Sequence, residues 1–103
     1  MITVRIFSQS DGKITGFAVH GHSGTAEHGY DIVCAGVSSL TEAALMGITE
    51  HLHREVDYEV ASGELTMSLK DAPDSLTEAV LQTMLLGLHG IAQYSPGAVE
   101  ILE

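Results

Sequence analysis

Residues 56–69 read VDYEVASGELTMSL. Val56, Tyr58 and Val60 alternate with Asp57 and Glu59, and Leu65, Met67 and Leu69 alternate with Thr66 and Ser68. Ser62-Gly63 supplies turn chemistry between the runs, so the segment predicts an antiparallel hairpin with an apolar face on each strand. Downstream, Pro73 and a Ser75-x-x-Glu78 capping box open a helix whose apolar stripe is Leu76, Val80, Met84, Leu88 and Ile91. Tyr94-Ser95-Pro96-Gly97 ends that helix, and Val99 to Leu102 add a last strand. Upstream, Val33, Val37, Leu40, Ala44 and Ile48 recur at helical spacing and predict a helix from about Ile32 to about His53. Before it, Ile2, Val4 and Ile6 form one alternating run, and Ile14, Phe17 and Val19 belong to a second. The turn residues Ser8 to Gly12 join them, and Gly16 marks a bulge or a close backbone approach. The order ββαββαβ predicts an α+β fold: a two-layer sandwich, mostly antiparallel, with two helices on one sheet face. Residues 1–103 are read as a single domain.

Composition narrows the function. Fourteen acidic residues against four basic ones give a net charge of −10 with histidines neutral. Such a surface repels phosphates, which argues against direct nucleic-acid binding and anionic membranes and favours a basic partner. No apolar run approaches the length of a membrane span. The single cysteine excludes an internal disulfide and the N-terminus carries no signal-peptide pattern, so the expected compartment is the reducing cytoplasm.

The chemistry concentrates in residues 21–38, GHSGTAEHGYDIVCAGVS. Asp31 reads as a helix N-cap, which sets Cys34 at about the third helical position, where unpaired N–H groups and the helix dipole favour a thiolate. His22, twelve residues upstream, can fold back over that helix end as a proton acceptor. Two readings of Cys34 stand on residue types alone. It is a nucleophile paired with His22, or a small buried hydrophobe among Ile32, Val33, Ala35 and Val37. The loop from Ser23 to Tyr30, with Gly24 and Gly29, is likewise a surface connection or a flap over the thiol. Ser38, one turn beyond Cys34, either serves the site or back-bonds to the backbone. A metal site from His20, His22, His28 and Cys34 has suitable donors, but its spacing matches no familiar zinc motif. The expectation is therefore no metal and no cofactor.

Gly21-His22, a short loop, and Gly29-x-Asp31-Ile32-Val33-Cys34-Ala35-x-Val37-Ser38 together resemble the signature of the ribosomal-processing cysteine protease family (Prp). The likeness extends over the whole chain. The run DIVCA with an upstream GH carries its specificity, and Ser23 stands where alanine is common. The resemblance implies Cys34 as nucleophile and His22 as general base and acid. It favours a loop over the site that includes Gly21, Ser23, Gly24 and Gly29. Asp31 and Ser38 are supporting candidates, Asp31 with capping as its other role. The implied reaction removes a short N-terminal extension from large-subunit ribosomal protein twenty-seven, cleaving after an aromatic residue. The resemblance also implies a homodimer. A non-catalytic acidic partner in ribosome assembly is the alternative.

Overall fold

The structure is a computed structural model that describes residues 1–21 and 28–103, and of residues 28–31 the backbone alone. Strands β1 (Ile2–Ser8) and β2 (Ile14–His20) precede helix α1 (His28–Met46) and a π-helical turn at Gly47–His51. Strands β3 (Val56–Ala61) and β4 (Glu64–Leu69), helix α2 (Ser75–Tyr94) and strand β5 (Val99–Leu102) follow. The five strands form one sheet in the order β3-β4-β2-β1-β5. All neighbours are antiparallel except β5, which runs parallel to β1. The α+β sandwich expected from the alternation is the fold observed.

One face of the sheet is apolar because the inward residues share rows across it. Ile6, Phe17 and Met67 make one row, and Val4, Val19 and Leu65 the next. All six are buried, and α1 adds Val33, Val37 and Ile48 to the same core. Phe17 is fully buried, so an otherwise aliphatic interior has an aromatic at its centre. The register of β1 on β2 slips between Phe7 and Ser8, the bulge anticipated near Gly16. A Cβ at Gly16 would lie 2.4 Å from the Met67 carbonyl oxygen, so the close backbone approach is present as well.

Four expectations are corrected. The first helix begins at His28, not Ile32, so Asp31 lies inside it rather than at its N-cap. At its far end the helix passes into the π turn, closed by Leu52 N–H donating to the Gly47 carbonyl at 3.0 Å. The second helix is capped one residue earlier than its Ser75-x-x-Glu78 pattern suggested. Asp74 Oδ1 accepts from the Leu76 and Thr77 N–H groups, and the Thr77 hydroxyl accepts from the Asp74 N–H. Glu78 is thereby released to accept from Ile14 N–H at 3.0 Å, which ties α2 to the start of β2. The buried face of α2 also shifts, to Thr77, Leu81, Met84, Leu85 and Leu88, leaving Leu76 exposed. Finally, Ile32–His51 is long and apolar enough by length and composition to cross a membrane, contrary to the reading of the runs. In this fold its buried stripe is Val33, Val37, Thr41, Ala44 and Ile48, packed into the sandwich core.

Candidate active site

Cys34 is the seventh residue of α1. Only the first four N–H groups of a helix lack an internal partner, so the Cys34 N–H is not one of the donors at the helix start. The dipole also fades within the first turn, which removes the end-of-helix setting that the sequence suggested. What the helix does fix is direction. Val33 and Val37 point into the core, while Gly36 meets α2, its place for a Cβ lying 3.1 Å from Ile91 Cδ1. At 100° per residue Cys34 falls on the other flank, facing away from α2. It is half-buried there and packs against the core.

That flank has a defined neighbour. Helix α2 packs on β5 and β2, so α1 lies beside it towards β4 and β3. In β3, Tyr58 pairs with Met67 and Val60 with Leu65, which puts both on the helix-bearing face. Their β4 partners are buried, yet Tyr58 and Val60 are 59% and 58% exposed. The helix layer stops short of β3 and leaves an apolar ledge on the thiol's side of α1. Sequence alternation marked these residues as inward but could not show that the cover ends before them.

Gly21 leads β2 towards the site. Its φ is +93°, and its N–H donates to the Gly63 carbonyl at 2.9 Å, so it turns the chain just past the ladder. A Cβ there would meet the Met1 carbonyl oxygen at 2.6 Å, which leaves only glycine. His22, Ser23 and Gly24 lie outside the described residues, so the pairing of His22 with Cys34 and the loop over the site do too. Gly29 is described, and its backbone belongs to the first turn of α1 rather than to a loop. Ser38 is exposed one turn beyond Cys34. Its carbonyl, with that of Val37, accepts from the buried Thr41 hydroxyl.

His20 separates from the thiol. It pairs across the sheet with Glu64, and its Nδ1 lies 3.3 Å from Glu64 Oε1 on the face opposite the helices. A metal site joining His20 to Cys34 is therefore not assembled in this fold. Among the described residues, no group of three or more His, Cys, Asp or Glu side chains is placed to hold a metal ion.

A thiol on a helix flank of an α+β sandwich fits the class of thiol enzymes. The comparisons with known proteins bear on that class directly. The family model for the cysteine protease Prp matches residues 1–100. A ribosomal processing cysteine protease Prp of Staphylococcus aureus is 33% identical over 96 residues, covering 90% of each chain. The crystal structure of an essential ribosomal processing protease Prp from S. aureus in complex with a substrate peptide superposes with a TM-score of 0.89. It is 28% identical and covers 98% of this chain and 97% of that one. A second S. aureus Prp structure, with a covalently linked product peptide, gives a TM-score of 0.88 at 29% identity and covers 99% and 98%. This chain belongs to the cysteine protease Prp family.

Proposed function

We propose that this chain is a cysteine endopeptidase of ribosomal-protein maturation, with Cys34 as nucleophile and His22 as general base and acid. One observation carries the reading. A structural relative holds a covalently linked product peptide, and Cys34 is the only cysteine this chain can offer for such a bond. In the proposed sequence, His22 takes the thiol proton and Sγ attacks the scissile carbonyl. His22 then protonates the departing amine, and water releases the acyl group from sulfur. The substrate is the N-terminal extension of large-subunit ribosomal protein twenty-seven, cut after an aromatic residue. A net charge of −10 supports a basic substrate of this kind. Residence in the cytoplasm and a homodimeric state complete the reading. Ile32, Leu86 and Tyr94, exposed on the helix layer, support self-association.

The test is incubation with the extended ribosomal protein and mass spectrometry of its new N-terminus. Wild-type protein should generate it and Cys34→Ala should not. His22→Ala should slow the reaction by about two to four orders of magnitude. Persistent cleavage by Cys34→Ala removes the thiol from the mechanism.

A further inference from the structure

Strand β3 is the edge of the sheet beyond β4. Among the described residues it pairs with β4 alone, so its outer row of N–H and C=O groups faces outward along Val56–Ala61. Edge strands invite another strand unless something blunts them, commonly Lys, Pro or a bulge. Here the register with β4 runs without a shift from Val56 to Ala61, and the strand contains neither Lys nor Pro. Its two faces differ. The helix side offers exposed Tyr58 and Val60 on the flank of α1 that carries Cys34. The opposite side offers Asp57 and Glu59, which line a hollow of about 560 Å³ together with Phe7, Thr66 and Ser68.

Residues 55–64 carry Glu55, Asp57, Glu59 and Glu64 and no Lys or Arg. The nearest cations offset little of this charge. Arg54 donates to Asp74, and Lys70 stands 3.9 Å from an Asp57 that is 77% exposed. From these observations we infer that the β3 edge takes an extended polypeptide segment as a sixth strand. That segment alternates apolar residues, set against Tyr58 and Val60, with basic residues set against Asp57 and Glu59. Naming the segment as the substrate rests on the peptidase reading above; the docking edge itself does not. Position along the strand fits. Val60 lies in the row of Val19, one before His20, so it sits at the end of the sheet from which Gly21 leads to α1. A second copy of this chain is a poor occupant, because two β3 edges would set Asp57 and Glu59 against their own kind.

The experiment uses Cys34→Ala protein and a fluorescein-labelled peptide alternating Leu and Lys. Binding is read by anisotropy and by amide exchange over Val56–Ala61. The expected result is binding with slowed exchange across β3. The exposed double variant Asp57→Lys, Glu59→Lys should weaken that binding by about tenfold or more, and a Leu/Glu peptide should not bind. Absence of binding, binding that leaves β3 exchange unchanged, or binding indifferent to the double variant each overturns the inference. So does peptide-free protection of β3 that grows with protein concentration, which would mean a second copy. Cleavage of the extended ribosomal protein, run in parallel, separates the two readings. Docking on β3 without any cleavage by the wild-type chain removes only the peptidase reading. Cleavage undiminished by the double variant removes the substrate as the occupant of the β3 edge and leaves the peptidase reading standing.

Discussion

Two aspartates precede apolar helical runs in this chain, and only one of them is a cap. Asp74 binds two helix N–H groups through Oδ1 and accepts from the Arg54 guanidinium through Oδ2. Arg54, and then the Thr77 N–H, hold its carboxyl below the ordinary value of 3.8. A carboxyl depressed in the folded state stabilises the fold fully above that ordinary value. The contribution is lost as pH falls below 3.8 and through the folded-state value. Asp74→Asn should therefore lower the melting temperature at neutral pH and flatten its fall on acidification. Parallel acid melting curves for variant and wild type would show that the bond to Arg54 contributes nothing. Asp31 satisfies the same local pattern yet lies within α1, because capping is decided by where the preceding turn begins, and His28–Tyr30 are helical. The cysteine itself was legible as a candidate nucleophile. Its flank of the helix, away from α2, was not, since that depends on where a distant segment packs.

At the level of elements, strands were easier to read than helix faces. Period-two alternation specifies a face outright, and every predicted strand is present. Helix α2 is different: residues 79–92 read AVLQTMLLGLHGIA, so apolar side chains occur all round it. Its phase is set instead by the local cap of Thr77 on Asp74 and by Glu78 reaching Ile14, the second a tertiary contact that the stripe alone cannot show. Gly16 offers a sharp test of the strand reading. Gly16→Ala puts a methyl group within 2.4 Å of a backbone oxygen that cannot rotate away. It should cost about 1–3 kcal/mol in chemical denaturation, and a neutral result would mean that β2 and β4 part easily. Phe17→Ala, which empties the centre of the core, should cost about 3–5 kcal/mol. Cys34→Ala, by contrast, removes one half-buried sulfur atom at a helical position suited to alanine. It should keep the circular dichroism spectrum and melting transition close to those of the wild type.

For the whole molecule, charge is the dominant long-range property. A chain at −10 attracts a basic substrate from a distance and loses that attraction as salt shortens the Debye length. Specificity measured as kcat/KM on a basic substrate should therefore drop by about an order of magnitude between low salt and about 0.5 M, with kcat nearly constant. A salt-independent kcat/KM would show that charge plays no part in capture. The strand order has a different kind of consequence. Strand β5 lies against β1, with Val99 beside Ile2 and Leu102 beside Arg5. Synthesis is vectorial, so β1 emerges from the ribosome long before the strand that covers its edge. Until residues 98–102 are out, Ile2 and Val4 lie in a strand with one side bare, and the core lacks Ala98 and Val99. Closing that gap joins the two ends of the described chain, the step with the longest loop to order. A nascent chain stalled before Ala98 should remain sensitive to proteolysis, whereas one extended well past Leu102 should resist it. The newborn chain thus has a timer built into its topology: it can fold to completion only after the ribosome has let go of the final strand.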